Sequence, residues 1–388
     1  MREIYLDNSA STRISDTALA KYNEVSKEIY GNPSSLHKMG FLAEKELRLA
    51  RDALLSSLSA KNSSVVFTAS GSEANNLALL GRAFSKERYM RSSKIITTDG
   101  EHASVSATLE HLSSLGFKVV SIPTKRGELD FEALLRELDS SVILVTMMMV
   151  NNETGALYDT ARVARFMKMK SPEAFLHVDA TQSFMKLKFT KASIGADMIS
   201  VSSHKIEGPK GVGALIIDER VIKTRGLAPI IYGGGQEGGL RSGTENVPGI
   251  AAFAEAIKIA NENLSASFEK MNALREYFIE RLNEDELSEI SPTLPKLHAP
   301  HIINITLPKI KSETMLHYLS SLGIFVSSGS ACSSNSKSLS GALLAYGRSE
   351  KEADSSLRIS FGKQNTKDDV DALCEALKSG LLKLARIS

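Results

Sequence analysis

Between about Val65 and Asp218 the chain repeats one arrangement. A short run of β-branched and apolar residues is followed by a longer stretch with apolar residues at helical spacing. "SVVFTAS" precedes "SEANNLALLGRAF", and "KIITT" precedes "ASVSATLEHLSSL". "KVVSIP", "SVILVTMMMV", "AFLHVDA", "DMISVSS" and "GVGALIID" read as further strands. The run from Val142 to Val150 is almost wholly apolar, as in a strand covered on both faces, and is too short to cross a bilayer. Strands alternating with helices predict an α/β fold with a mostly parallel sheet under helices. In such sheets chemistry gathers beyond the carboxyl ends of the strands.

The pattern changes further on. A glycine-rich stretch, "YGGGQEGGLRSGTEN", runs from Tyr232 to Asn246, and one long helical pattern runs from about Pro248 to Asn283. Two more strands, "HIINITLP" and "GIFVSSGSA", precede a last helix, "KDDVDALCEALKSGLLKLARIS". This predicts a large domain over residues 16–258 and a smaller α+β domain built from 1–15 and 259–388. The smaller domain carries a Ser-rich loop at about 327–340 that is expected to be exposed and mobile.

Composition narrows the function. A net charge of +2 over 388 residues gives no footing for nucleic acid or an anionic membrane surface. The opening "MREIYLDNSAST" lacks an apolar core, so no signal peptide is expected. Two cysteines, Cys332 and Cys374, make no disulfide framework, and a reducing cytoplasm is the expected location. No CxxC or HxxxH spacing is present, so no metal site is expected.

Candidate groups cluster after the strand runs. Gly71 and Ser72 open a helix, where free N–H groups suit a phosphate, although an ordinary cap has the same pattern. His102, after "KIITTDG", suits stacking on a planar group or moving a proton, and equally suits capping. Asn152 follows a buried strand in "VNNETG", which is also turn chemistry. Asp179 ends an apolar strand, with Gln182 close behind. A buried carboxylate needs a partner, either a protonated ring nitrogen or a lysine or arginine. Lys205 stands in "SSHKIEGPKG", between hydroxyls and a turn, surroundings that a surface lysine does not need. Cys332 lies in "SGSACSS" without large apolar anchors, unlike Cys374 in its apolar helix, and so reads as a reactive thiol.

Taken in order, "YLDNSAST", "GNPSSLH", "GSEANN", "GEH", "VNNETG", "HVDATQ", "SSHKIEGPKG", "RSGTEN", "SGSACSS" and "SSLRIS" resemble the cysteine desulfurase family. This is the class V aminotransferase branch of fold-type I pyridoxal-phosphate enzymes. The resemblance implies pyridoxal 5'-phosphate as cofactor and L-cysteine as substrate. It makes Lys205 the cofactor-bearing lysine, and Cys332 the thiol that takes sulfur as a persulfide and leaves alanine. Gly71, Ser72, Ser202 and His204 are implied to hold the cofactor phosphate. Thr244 is implied to complete that cup from a second subunit, hence a homodimer. Asp179 is implied to pair with the ring nitrogen and His102 to stack on the ring. Asn152 and Gln182 are implied near the phenolic oxygen. Arg358 is implied to clamp the substrate carboxylate, with Asn32 as a second contact. The persulfide is expected to pass to an acceptor protein, such as an iron–sulfur scaffold or a tRNA-thiolation protein. The family usually has threonine where Ser72 stands, and the hydroxyl is kept. The chain stops at "LARIS", short of the tail with which scaffold-feeding members dock, so a different acceptor stays open. Selenocysteine lyase, or another lyase or aminotransferase of the same fold, is the competing reading.

Overall fold

The computed structural model describes residues 2–85, 93–328 and 339–384. Cys332 therefore lies outside the described residues, as does most of the Ser-rich stretch around it. After a short strand β1 (Ile4–Tyr5) come the strands of the main sheet: β2 (Ser63–Thr68), β3 (Lys94–Thr98), β4 (Lys118–Ile122), β5 (Val142–Met148), β6 (Phe175–Asp179), β7 (Met198–Ser202) and β8 (Gly213–Asp218). Their order is β2-β8-β7-β6-β5-β3-β4. The pairs among β4, β3, β5, β6 and β7 are parallel, whereas β8 runs antiparallel to both β7 and β2. Connection length explains the reversal. Residues 203–212 between β7 and β8 hold only a 3-10 turn, too little for the crossover that parallel neighbours require.

Both faces of this sheet are buried, and alternate residues serve opposite sides. Phe67, Ile96, Val145 and Ile216 join one apolar cluster, and their neighbours Val66, Ile95, Leu144 and Ile217 join another. The first cluster is covered partly by the helix Val247–Glu262 through Ile250, Phe253 and Ile257. The second lies under the helices Gly71–Ser85 and Ala103–Ser114.

The single helical pattern expected over 248–283 is two helices, Val247–Glu262 and Leu264–Leu282. Asn263 breaks it. Its side-chain amide donates to the Ile259 carbonyl at 2.8 Å, the kind of local bond by which asparagine competes with a helix. The break also changes what is packed, since Met271, Leu274 and Phe278 belong to a third apolar cluster. That cluster lies on a second sheet of β9 (Ser291–Thr293), β10 (Ile302–Thr306), β12 (Ser327–Ser328) and β13 (Ser356–Ser360), ordered β12-β13-β10-β9 and antiparallel throughout. Strand β11 (Ile324–Phe325) pairs in parallel with β1 instead. Read only as a motif in the sequence, "LRIS" is the core of β13.

From β1 the chain crosses to the main sheet along a path pinned at each step. Leu6 N–H donates to Phe325 O at 2.8 Å, and Ser360 N–H donates back to Leu6 O at 2.7 Å. Asn8 N–H reaches Ser360 O at 3.3 Å, Ser9 N–H reaches Ser360 Oγ at 2.8 Å, and Thr12 N–H reaches His204 O at 2.9 Å.

One glycine fixes how β8 meets the turn after β2. A Cβ on Gly213 would stand 2.4 Å from the Ser70 carbonyl carbon and 2.7 Å from Gly71 N, backbone atoms that cannot yield as a side chain would. Gly213→Ala is therefore expected to destabilise the protein by about 1–3 kcal/mol, the cost of overpacking. Denaturant unfolding checks this, with a lowered midpoint at unchanged slope as the expected result.

Candidate active site

The carboxyl ends of β5, β6 and β7, the start of the helix Gly71–Ser85 and the start of the helix Ala103–Ser114 surround one cavity of about 270 Å³. Ten of the residues singled out in the sequence line it: Gly71, Ser72, His102, Asn152, Asp179, Gln182, Ser202, His204, Lys205 and Arg358. Asn32 and Thr244 do not. The Asn32 side chain accepts from Ser34 N–H at 2.9 Å and closes an exposed turn. Thr244 is exposed in the loop before the helix Val247–Glu262.

Lys205 ends the 3-10 turn after β7. Its amine donates to Ser9 O at 2.7 Å and to Ala10 O at 2.8 Å, so the pinned amino-terminal segment sets where it points. Gln182 Nε2 donates to the same Ser9 carbonyl at 2.8 Å, and its Oε1 is buried without a protein partner.

Asp179 closes β6 and is buried. Its partners among the described residues are neutral donors. Asn75 Nδ2 lies 2.8 Å from Oδ2, and Thr181 N–H lies 2.9 Å from Oδ1. Asn75 carried no role in the sequence reading. The signal that could have found it is the demand of a buried carboxylate for donors, met one turn into the adjoining helix.

The two readings of His102 coincide. Its Nδ1 caps the helix Ala103–Ser114 by accepting from Ser104 N–H at 3.1 Å, while the ring lines the cavity. An Nδ1 that accepts puts the ring proton on Nε2. Burial lowers the pKa of the ring, against the pull of Asp179. Beside it Glu101 is buried and pushed up to about 8 by that burial, although Thr98 Oγ1 at 2.5 Å and Met148 N–H at 3.0 Å favour its charged form. Its carboxyl joins the ends of β3 and β5 under the cavity.

At the helix start the capping hydroxyl belongs to Ser70. Ser70 Oγ accepts from Glu73 N–H at 3.1 Å, and Glu73 reaches back to Ala69 N–H at 2.9 Å. Ser72 stands inside the first turn, so its hydroxyl and the leading N–H groups are left for a ligand. Across the cavity Ser202 Oγ is buried with no protein partner. His204 Nδ1 lies 3.2 Å from Ser11 Oγ, and burial with the charges of Lys205 and Lys210 holds the ring down to about 4. An orphaned hydroxyl, free helix N–H groups and a neutral imidazole together make an anion cup.

Arg358 enters from β13 and is buried. Nη2 donates to Asp7 Oδ1 at 2.9 Å, Nη1 donates to Asn152 O at 3.0 Å, and Nε is buried without a partner. Asp7 had no role in the sequence reading. Its pKa is raised by burial, which outweighs the opposing pull of Arg358 and Lys205. Among the described residues no cluster of three metal-binding side chains occurs, and no helix is long and apolar enough to cross a membrane.

Relatives are found over nearly the whole chain. The sequence profile of the family described as Aminotransferase class-V matches residues 4–373. The NifS/IcsS protein homolog of Lactobacillus delbrueckii subsp. bulgaricus is 37% identical over 96% of each chain. The cysteine desulfurase IscS of Clostridium botulinum is 35% identical over 97% of this chain and 94% of its own. A solved NifS-like protein superposes with a TM-score of 0.90 at 35% identity, covering 98% of this chain and all of that one (100%).

Two stability measurements follow from this geometry. Ser70→Ala is expected to cost about 1 kcal/mol as a lost cap. Ser72→Ala should stay within about 0.5 kcal/mol in the cofactor-free protein. Burial also holds His177 down to about 4, between Thr146 Oγ1 and Ser200 Oγ at 2.8 Å each. Below pH about 6.5 the unfolded chain takes up protons that native His177, His204 and His301 refuse, and these outnumber the one that native Glu101 holds over the same range. Unfolding free energy should therefore fall as pH drops from about 6.5 to 4, and urea titrations at stepped pH would show this slope.

Proposed function

Because this chain belongs to the class-V aminotransferase family, and within it to the cysteine desulfurases, we propose that the cavity binds pyridoxal 5'-phosphate and removes sulfur from L-cysteine. One observation carries the reading: a cavity that joins a lysine amine, a carboxylate with neutral donors only, and a cup of unpartnered anion-binding groups. These residues fit the cofactor. Gly71, Ser72, Ser202 and neutral His204 would hold its phosphate, Asp179 its ring nitrogen, His102 its face, and Asn152 and Gln182 its phenolic edge. When bound, pyridoxal phosphate supplies an electron-withdrawing ring that acidifies the α-carbon of an attached amino acid.

The chain's own groups do the rest. Arg358 binds the substrate carboxylate. Lys205, steered by the Ser9 and Ala10 carbonyls, moves the α-proton. Cys332 as thiolate attacks the sulfur of cysteine. An S–S bond forms on Cys332, the C–S bond breaks with its electron pair left on carbon, and protonation there gives alanine. The persulfide then passes to an acceptor protein of iron–sulfur assembly or tRNA thiolation. Such a thiol suits a reducing cytoplasm.

A homodimer completes the cup, with Thr244 of the partner subunit reaching the phosphate. Thr244 is exposed here, as are the large apolar side chains of Leu36, Tyr30, Phe41 and Tyr232. In this reading the residues around the second sheet form the small domain that carries the Cys332 loop.

Purified protein given L-cysteine and a reductant is expected to release sulfide and alanine in equal amounts. Cys332→Ala should keep the absorbance of the bound cofactor and lose sulfide. Lys205→Ala should lose the lysine-linked absorbance and both products. Alanine without sulfide, or retention of activity by Cys332→Ala, would count against the reading and favour another reaction of the fold.

A further inference from the structure

Arg358 has five N–H donors, and the structure accounts for two of them. Nη2 is held by Asp7 Oδ1 at 2.9 Å and Nη1 by Asn152 O at 3.0 Å. These two anchors stop the planar guanidinium from rotating. Left over are Nε, buried and without any protein partner, and one hydrogen on each terminal nitrogen, on a residue that lines the cavity. A buried guanidinium edge left unmet is costly unless something else meets it.

Asp7 cannot easily follow or leave its arginine. The backbone on both sides of it is tied to β13, by Ser360 N–H to Leu6 O at 2.7 Å and Asn8 N–H to Ser360 O at 3.3 Å. Arginine and aspartate therefore sit on two backbone segments locked side by side.

We propose that Asp7 is a positioning residue that holds the guanidinium of Arg358 so that its unspent terminal N–H groups meet the α-carboxylate of the substrate, and thereby selects amino acids whose carboxylate is free. This rests on the reading of Arg358 as the carboxylate clamp. The Asn152 carbonyl supplies the second anchor, so the residue that follows β5 and the segment that follows β1 jointly set the angle of a side chain from β13.

The experiment compares L-cysteine with L-cysteine methyl ester, which lacks the charge, on the cofactor-loaded enzyme. Asp7→Ala is expected to lower the preference for L-cysteine, as the ratio of kcat/KM values, about tenfold, the worth of one well-aimed charge-assisted hydrogen bond. The loss should sit in the KM for L-cysteine more than in kcat, with the ester affected far less. Asp7→Asn, which keeps an oxygen acceptor of the same size, should recover most of the preference. Equal losses on both substrates would show a general structural role and overturn the proposal. A lower KM for L-cysteine in Asp7→Ala would show a competing carboxylate and overturn it as well. Arg358→Ala separates the two readings. If it leaves the preference intact, the clamp itself is wrong and the proposal falls with it. If it abolishes the preference while Asp7→Ala does not, only the role of Asp7 falls.

Discussion

Four polar side chains of the cavity, Lys205, Gln182, His204 and Arg358, hang on how the segment of residues 6–12 is held. Its carbonyls at Ser9 and Ala10 take the lysine amine, and Ser9 also takes the Gln182 amide. Asp7 takes one nitrogen of Arg358, and Ser11 lies beside the His204 ring. Its backbone in turn is bonded to β13 on one side and to the turn after β7 on the other. The segment is thus a strap between two sheets. A shift of the strap would move Lys205, His204 and Arg358 together, which is why weak individual bonds can hold so demanding a geometry.

The electrostatic arrangement follows one logic. Groups that would carry charge uselessly near an anion or a ring are kept neutral by burial: His204, His102, His177 and Glu101 are all shifted that way. Lys205, Arg358 and Asp179 line the same cavity, and among the described residues Asp179 takes its hydrogen bonds from the neutral donors Asn75 and Thr181. The free ends of the anion cup come from backbone and hydroxyls, which add attraction without a titrating group.

Much of this was legible in the sequence because it is local. All the strand runs of the main sheet announce themselves by apolar, β-branched composition, and the chemistry sits where the sheet rule puts it, just past their ends. What could not be read is non-local or sub-residue. The antiparallel course of β8 follows from a short connection rather than from its own pattern. Asp7 matters only because Arg358, 351 positions away, folds against it. Ser70 and Ser72 look equivalent as caps, and a register of two residues decides which hydroxyl caps the helix. At Asn263 a continuous period hides a change of packing partner, since both helices are amphipathic and only the cluster they join differs.

The strap also sets an order of events in the life of the chain. Its anchor strand, Ser356–Ser360, is made about 350 residues after residues 6–12. At ~5–20 residues per second, roughly 20 to 70 seconds separate the two on the ribosome. For much of that interval the turn after β7 is the one of the two flanks that the segment can bond to, and the β13 flank joins it afterwards.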